Sequence, residues 1–270
     1  MPDRRRLGFI GCGVMGEGIA RSLIAAGVLS ADDIIASDAD PARLALVRDQ
    51  LGIATSPSNE EVARGAGTVV LAVKPQVLPG VLEQVGRCLA ADQLLVSIAA
   101  GIKTGLIRKS IGGDVPLIRV MPNVCCLVGE GAFGYCCDGP VPDAIREEFA
   151  GLLGAIGQVV QVEEKLMDAV TAVSGSGPAY VFKFIEAMAD GGVAAGLPRA
   201  SAQRLAAQTV LGAAKMVLEM GRHPAELKDR VCSPGGTTIA GVRALERGRF
   251  GSAVIEAVIA ADQRSRELGG

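Results

Sequence analysis

Hydrophobic positions in the first half of the chain fall into short runs that alternate with segments of helical spacing. The runs predict strands at 7–10, 33–37, 68–73, 94–98 and 117–120. Between them, the spacing of apolar residues predicts helices at 14–26, 41–51, 59–64 and 75–89. Strands that alternate with helices in this way form a mostly parallel sheet covered on both faces, so this half is typical of an α/β domain.

The pattern changes after about Glu163. Before that point, two further strands near 132–137 and 159–162 flank a predicted helix at 143–153. Beyond it the strand pattern stops, and alanine-rich helical spacing predicts helices at 179–195, 200–219, 224–231, 238–247 and 252–268. We therefore predict a sheet domain over residues 1–163 and an all-helical domain over residues 164–270.

Several of the predicted helices of the second domain are apolar on more than one face. A domain of about 100 residues cannot bury that much apolar surface in one small bundle. We expect the remaining apolar surface to be buried in a subunit interface built from these helices, which predicts a homo-oligomer. The alternative is a bundle that packs only against its own sheet domain.

A glycine fingerprint, G-x-G-x-x-G, directly follows the first predicted strand. Its glycines are Gly11, Gly13 and Gly16, and Val14 and Met15 lie inside it at the start of the next predicted helix. A strand, a tight turn and a helix N-terminus in this order direct backbone N–H groups at a pyrophosphate, which the helix dipole also favours. The sequence thus predicts a Rossmann-type dinucleotide-binding domain, with a glycine-rich turn that binds nothing as the alternative.

Composition argues against several classes of protein. The 270-residue chain has a formal net charge of −2, 3% aromatic residues and no tryptophan, so we expect no nucleic-acid partner. No apolar run approaches the about 20 residues of a membrane span, and Glu17 interrupts the apolar stretch after the N-terminal arginines, which argues against a secretory signal. Seven cysteines without a C-x-x-C spacing and a single histidine, His223, are typical of a reduced cytoplasmic protein without a metal site.

Ligands of an open parallel sheet bind beyond the carboxyl ends of its strands, so the loops after the strands hold the candidate residues. Asp38 follows the second predicted strand, about 20 residues after Gly16, the usual spacing of the acid that binds the adenosine ribose of NAD. Its charge would repel the 2′-phosphate of NADP. Asp38 could instead cap the next helix, although Asp40 suits that role better, and Arg43 is near enough to pair with a phosphate.

Three further loops carry candidate ligand contacts. Lys74 and Pro75 follow the third predicted strand, and Pro75 suits the first turn of the helix predicted there. The fourth strand leads into Ala99 and Ala100, small residues that allow close approach of a ligand. Asn123 follows the fifth strand, where its side chain could bond a carboxamide or close a backbone turn.

Two segments of the helical half place hydroxyl groups and small residues directly before a helix. One reads SGSGPAY over 174–180, and the other reads CSPGGTT over 232–238. Free N–H groups and hydroxyls at such positions suit a substrate carboxylate. Ordinary N-capping explains one hydroxyl per helix but not the whole second segment, so we favour the ligand hypothesis over turn chemistry.

These segments resemble those of pyrroline-5-carboxylate reductases. The similarity runs in the same order nearly along the whole chain, through AVKP at 72–75, SIAAG at 97–101, RVMPN at 119–123, SGSGPAY at 174–180, LKD at 227–229 and VCSPGGTTI at 231–239. The last motif is highly specific, unlike the glycine fingerprint. The resemblance implies hydride transfer from NADPH or NADH to the C=N bond of 1-pyrroline-5-carboxylate, which gives L-proline.

The resemblance also implies roles for individual residues. Ser233, Gly236 and Thr237 would hold the substrate carboxylate. Thr238 would bond the ring nitrogen as the catalytic residue, with the proton donor open between Thr238 and a bound water. Besides the fingerprint and Asp38, the implied cofactor-binding set comprises Asn59 near the adenosine ribose and Ala72, Val73, Lys74, Pro75, Ala99, Ala100 and Asn123.

Members of that family form intertwined homodimers, which in many of them join into a decamer. Many also favour NADPH and carry a small polar residue where this chain has Asp38. We therefore expect this chain to use NADH at least comparably.

Two other functions fit parts of the sequence. A β-hydroxyacid dehydrogenase shares the opening motif and uses a lysine as its acid–base group, for which Lys183 is the candidate. Its spacing is unsuitable, and the segment 233–238 would have no role. A non-catalytic cofactor sensor needs no carboxylate site, which the two hydroxyl-rich helix starts argue against.

Overall fold

The computed structural model describes residues 3–111, 114–139 and 141–269. Within these ranges the strands form one sheet in the order β3-β2-β1-β4-β5-β6-β7-β8. Every neighbouring pair is parallel except β6 and β7, which confirms the mostly parallel sheet. The strands are β1 Asp3–Ile10, β2 Ile34–Ser37, β3 Ala54–Ser56, β4 Ala66–Leu71, β5 Leu94–Ser97, β6 Leu117–Met121, β7 Gly131–Asp138 and β8 Gly157–Gln161.

Helices connect the strands and form most of the second half of the chain. Those of the first half are α1 Val14–Ala25, α2 Pro41–Leu51, α3 Asn59–Gly65, α4 Leu78–Val85, α5 Thr104–Ile111 and α6 Asp143–Gly154. Those of the second half are α7 Met167–Val170, α8 Gly177–Ala194, α9 Arg199–Met220, α10 Pro224–Val231, α11 Thr237–Arg247 and α12 Phe250–Leu268. The five helices predicted for the second half are all present, each within two residues of its expected ends.

The sheet buries apolar side chains on both faces, as its alternation with helices predicts. Phe9 and Ile10 are adjacent in β1 and fully buried, yet they belong to opposite core clusters. The cluster around Phe9 includes Leu23 of α1, and the cluster around Ile10 includes Leu82 of α4 and Ile107 of α5. Because successive side chains point to opposite faces of a strand, Phe9 and Ile10 pack against different helical layers.

The register of the parallel strands brings their carboxyl ends to one edge. Ile10 at the end of β1 pairs with both Ser37 of β2 and Leu71 of β4, and Leu71 pairs with Ser97 of β5. Strand order reverses between β1 and β4, since β2 and β3 lie on one side of β1 and the later strands on the other. A crevice at such a reversal is where dinucleotides bind.

One predicted helix starts and ends in the wrong place. The helix expected at 75–89 is α4, Leu78–Val85, and the strand expected to reach residue 73 ends at Leu71. Pro75 instead lies in a turn in which Val77 N donates to the Lys74 carbonyl, 3.0 Å away. Had the helix begun at Pro75, Pro79 would lack the N–H that bonds four residues back, so the helix can start only later.

Contacts between Cα atoms divide the chain into two compact units. One unit runs to Ser176 and takes up the chain again from Ala261, and the other is Gly177–Ala260. The second unit buries few side chains, chiefly Ala189, Ala202 and Ala206. Large apolar side chains on its helices are exposed, among them Phe182, Leu205, Leu218 and Ile255. Apolar surface of this extent marks an interaction face. No helix among the described residues is long and apolar enough to cross a membrane.

Candidate active site

The glycine fingerprint forms the turn between β1 and α1, and two of its glycines are required by close backbone contacts. Gly11 has φ +102°, and an added Cβ there would lie 2.8 Å from the carbonyl of Ala72 in the loop after β4. A Cβ on Gly16 would lie 2.4 Å from the carbonyl oxygen of Gly11. These contacts pack the start of α1 against the turn and against Ala72 and Val73, so the structure brings these predicted residues together.

Gly13 and the first turn of α1 provide a place for an anion. Gly13 is the N-cap of α1 and no side chain caps the helix, while a Cβ at Gly13 would meet nothing within 4 Å. Val14 is exposed at the first helical position, and Met15 is half-buried beside it. An uncapped N-terminus next to open space offers backbone N–H groups and a positive dipole end, which fit the pyrophosphate of a dinucleotide.

Asp38 lies beside this turn at the end of β2. One carboxylate oxygen of Asp38 accepts a hydrogen bond from Cys12 N at 2.7 Å, and the other accepts from Asp40 N at 2.9 Å. Capping of α2 falls to Asp40, whose side chain accepts from Ala42 N at 2.9 Å. Asp38 is therefore not the helix cap, and its carboxylate is fixed beside the glycine turn. Its contact with the adenosine ribose stays a prediction.

Asn59 reaches the same edge from the start of α3. Its Oδ1 accepts a hydrogen bond from the buried Ser37 hydroxyl at 2.8 Å, and its Nδ2 donates to Gln84 Oε1 at 2.8 Å. Ser37 precedes Asp38, so Asn59 and the predicted ribose acid lie next to each other. The contact of Asn59 with the adenosine ribose stays a prediction.

The remaining predicted cofactor residues lie in the loops after β4, β5 and β6. Lys74 and Ala100 are exposed, Pro75 is half-buried and Ala99 is buried. Asn123 is buried, and its Oδ1 accepts a hydrogen bond from Ala132 N at 3.0 Å. Of the two possibilities that the sequence leaves open for Asn123, the structure thus contains the bond to the backbone.

A polar network behind these loops has no counterpart in the predicted site. Arg119 in β6 is nearly buried and pairs with Glu164, whose Oε1 also accepts from Thr104 N at 2.7 Å. The Thr104 hydroxyl donates to the other oxygen of Glu164 at 2.9 Å. Glu164 thereby holds the first turn of α5, directly after the loop of Ala99 and Ala100. An arginine inside an apolar strand is the signal that predicts an acidic partner.

Cys12 lies inside the fingerprint but is not a nucleophile. Burial, with the neighbouring charge of Asp38, raises the pKa of the Cys12 thiol to about 12. The thiolate is the reactive form of cysteine, so this group stays protonated and inert at neutral pH. Among the described residues no cluster of three or more metal-binding side chains occurs, and His223 caps α10 through its Nδ1, which accepts from Ala225 N at 3.2 Å.

The first hydroxyl-rich segment, 174–180, begins at the end of a π-helical turn, Thr171–Gly175, and continues into α8. The Ser174 hydroxyl donates to the Val170 carbonyl at 2.9 Å, so it serves its own helix rather than capping the next. A Cβ on Gly175 would lie 2.5 Å from the terminal methyl group of Met121. The segment therefore packs on the loop that carries Asn123, and π-helical turns of this kind are frequent at functional sites.

The second hydroxyl-rich segment forms the turn between α10 and α11. Gly236 N donates to the Ser233 carbonyl at 3.1 Å, and Gly235 has φ +67°, a conformation that favours glycine. Gly236 is the N-cap of α11, and no side chain caps this helix. Ser233 and Thr237 are exposed, whereas Gly236 and Thr238 are half-buried. N-capping therefore does not account for the hydroxyls, and the helix start suits a carboxylate.

The predicted residues thus form two groups, and each lies within one compact unit. The cofactor candidates belong to the unit that runs to Ser176, and Ser233, Gly236, Thr237 and Thr238 belong to Gly177–Ala260.

Lys183 lies in α8 with its side chain 80% exposed, and its Nζ donates to Glu186 Oε2 at 2.6 Å. That hydrogen bond raises the pKa of the Lys183 ammonium. We expect Lys183→Met to leave kcat and KM almost unchanged, since an exposed, more firmly protonated lysine is a poor acid–base group. Steady-state kinetics of the purified variant measure this, and a severe loss of kcat would instead favour a lysine-dependent dehydrogenase.

A doubly wound sheet with a glycine turn and an uncapped helix at the strand-order reversal defines a class, the dinucleotide-binding proteins with a Rossmann-type fold. Two family models match the chain: pyrroline-5-carboxylate reductase dimerisation over residues 164–268, and NADP oxidoreductase, coenzyme F420-dependent, over residues 6–101. Pyrroline-5-carboxylate reductase of Pisum sativum is 46% identical over 99% of this chain and 97% of its own. That of Escherichia coli is 43% identical over 98% of each chain.

Solved structures of pyrroline-5-carboxylate reductases are similar to this chain as well. Pyrroline carboxylate reductase of Plasmodium falciparum with NADP bound superposes with a TM-score of 0.88 at 34% identity, over the whole of both chains. Pyrroline-5-carboxylate reductase of Coxiella burnetii gives 0.92 at 34% identity, over 99% of this chain and 100% of its own. The chain belongs to the pyrroline-5-carboxylate reductase family.

Proposed function

We propose that the chain reduces 1-pyrroline-5-carboxylate to L-proline, the last step of proline synthesis, with NADPH or NADH as the reductant. The observation that carries this proposal is the turn 233–238, which ends in a helix start without a side-chain cap. In a chain of this family, such a start is a place for the carboxylate of a small acid.

The substrate side of the site belongs to four residues. The substrate carboxylate binds to the hydroxyl of Ser233, to the backbone N–H groups that follow Gly236, and to Thr237. Thr238, one residue further into α11, hydrogen-bonds the ring nitrogen. These contacts with the carboxylate and the ring nitrogen fix the ring in one orientation, which converts a bimolecular encounter into a step between positioned groups.

The cofactor side of the site belongs to the carboxyl edge of the sheet. The turn Gly11–Gly16 and the start of α1, with Val14 and Met15, take the pyrophosphate, while Asp38 and Asn59 take the adenosine ribose. The loops with Ala72, Val73, Lys74, Pro75, Ala99, Ala100 and Asn123 border the rest of the dinucleotide. When bound, the cofactor supplies the hydride that adds to the C=N carbon.

The residues of the chain need to do little acid–base work in this reaction. A protonated cyclic imine is already an electrophile, so positioning and exclusion of water carry much of the catalysis. This explains how a chain with one histidine can be an enzyme. The proton of the ring nitrogen is supplied by Thr238 or by a bound water.

A spectrophotometric assay tests the function. Purified protein is mixed with 1-pyrroline-5-carboxylate and reduced cofactor, and the imine-dependent oxidation of the cofactor is followed together with L-proline formation. We expect one molecule of L-proline to form for each molecule of cofactor that is oxidised. Cofactor binding without turnover on any cyclic imine would favour the sensor alternative, and oxidation of β-hydroxyacids would favour the dehydrogenase.

Cofactor preference is a separate prediction that rests on Asp38. The carboxylate is held by Cys12 N and Asp40 N, so its charge stays next to the ribose, where it accepts hydrogen bonds from the hydroxyls of NADH and repels a 2′-phosphate. We expect kcat/KM for NADH to equal or exceed that for NADPH. Kinetics with both cofactors under identical conditions measure the ratio, and a large preference for NADPH would contradict it.

The assembly and the compartment are also proposals. We propose a homodimer built from the helices of residues 164–270, with dimers joined into a decamer, and a domain division at residue 163. Support comes from the dimerisation family model, which begins at residue 164, and from exposed apolar side chains such as Phe182 and Leu218. The seven cysteines are all free thiols, which suits the reducing cytoplasm.

A further inference from the structure

A cluster of charged side chains lies directly against the glycine turn and is not used by the proposed reaction. Arg43 of α2 extends to the turn, where its Nε donates to the Cys12 carbonyl at 3.1 Å and its Nη2 donates to the same oxygen. Nη2 also donates to Glu17 in the first turn of α1. Arg43 is therefore tied to the turn by a backbone carbonyl and by a carboxylate.

Glu17 is the centre of this cluster. Its side chain is 16% exposed, and its second oxygen accepts from Arg21 Nη2 at 2.7 Å. Partial burial acts to raise the pKa of Glu17, but the hydrogen bonds and charges of Arg21 and Arg43 outweigh it, so the pKa is lowered. Glu17 is thus fully charged at neutral pH and binds Arg43 through a charge-assisted hydrogen bond.

Arg43 occupies a region of the fold that matters for cofactor choice. In doubly wound folds an arginine near the end of the second strand accommodates the 2′-phosphate of NADP, whereas an acid there binds the ribose of NAD. This chain has both residue types, Asp38 at the end of β2 and Arg43 in the first turn of α2. The arginine, however, directs its donors to Cys12 and Glu17.

We propose that Glu17 is a specificity-determining residue, which holds Arg43 on the glycine turn and so withholds its guanidinium from a 2′-phosphate. The proposal rests on the cofactor site described above and extends it: discrimination against the 2′-phosphate comes from two acids, Asp38 by repulsion and Glu17 by sequestering a cation. Without Glu17, Arg43 keeps its bonds to the Cys12 carbonyl, but its guanidinium loses its carboxylate partner and is free to pair with a 2′-phosphate.

The test measures binding of adenosine 2′,5′-bisphosphate and adenosine 5′-monophosphate to the full-length protein by calorimetry, without substrate. Glu17→Ala is expected to raise the affinity for the bisphosphate relative to the monophosphate by about tenfold, the effect of one charge-assisted hydrogen bond. The ratio of kcat/KM values for NADPH and NADH is expected to move in the same direction. Glu17→Gln, which keeps the side-chain volume, is expected to give a smaller shift of the same sign.

A second substitution separates release of Arg43 from simple loss of a negative charge. In Glu17→Ala combined with Arg43→Ala, the affinity ratio is expected to return to the wild-type value. Asp49→Ala is the matched control, because it removes an exposed carboxylate from α2 that pairs only with Arg48 in the described ion pairs, and it should leave the ratio unchanged.

Three results would overturn the inference: an unchanged ratio in Glu17→Ala, an equal gain in the double variant, or the same gain in Asp49→Ala. These binding measurements do not depend on turnover. Failure of wild type to reduce 1-pyrroline-5-carboxylate would therefore refute the proposed function while leaving the inference to be judged by the binding ratio. Failure of wild type to bind either nucleotide, in a protein that reduces 1-pyrroline-5-carboxylate, would refute the inference and leave the proposed function standing.

Discussion

Gly16→Ala is expected to lower kcat/KM for both reduced cofactors by about 100-fold, the cost of displacing a bound group by roughly an ångström. The added Cβ would lie 2.4 Å from the carbonyl oxygen of Gly11. That oxygen belongs to the backbone and cannot rotate away, so the start of α1 must move off the turn. Binding of the cofactors by fluorescence titration and steady-state kinetics measure the effect.

Gly151→Ala in α6 is the matched control for this substitution. A Cβ at Gly151 would meet nothing within 4 Å, and alanine is the better helix former, so the variant should retain wild-type kinetics. If Gly16→Ala folds with a native circular dichroism spectrum and binds the cofactors as tightly as wild type, the glycine turn is not the pyrophosphate site.

Thr238→Val is expected to lower kcat for 1-pyrroline-5-carboxylate by at least about 100-fold, the usual lower range for loss of a positioned proton-transfer or hydrogen-bonding group. Valine keeps the branched shape of threonine at the second position of α11 but has no hydroxyl. Cofactor binding should not change, because the substitution leaves the glycine turn, Asp38 and Asn59 unaltered.

Thr238→Ser restores the hydroxyl and is expected to recover most of the activity. A kcat for Thr238→Val equal to that of wild type would exclude Thr238 as the partner of the ring nitrogen. Equal losses in the serine and valine variants would point instead to the shape of the side chain.

Much of the fold could be predicted because its determinants are local. The glycine turn and α1 follow from residue types within a few positions, and Asp40 with Pro41 marks the start of α2 through ordinary capping. The parallel order of the sheet follows from the alternation of strands and helices. All of these were confirmed.

The elements that were missed lack such local signals. β3 contains only Ala54–Ser56, too short for any alternation to be visible, and it exists because it pairs with β2. α5, Thr104–Ile111, is held at its first turn by Glu164, a residue distant in sequence. The start of α4 was wrong because Pro79, rather than Pro75, limits how early the helix can begin.

In the candidate site, too, features with local sequence signals were predicted and contacts between distant elements were not. Motifs in single loops predict which residues line the sheet edge, whereas contacts between separate elements do not follow from them. The bonds of Arg43 to Cys12 and Glu17 join α2 to the turn and to α1, and the sequence leaves Arg43 as a possible phosphate partner. The roles of the individual cofactor and substrate residues stay predictions.

A crystal structure of the protein with oxidised cofactor and L-proline bound together tests directly whether residues 233–238 hold the substrate. We expect the L-proline carboxylate to bind the N–H groups at the start of α11. The ring nitrogen of L-proline should lie within hydrogen-bonding distance of the Thr238 hydroxyl, and the pyrophosphate of the cofactor should lie at the turn Gly11–Gly16. L-Proline bound at a place remote from residues 233–238 would contradict this expectation.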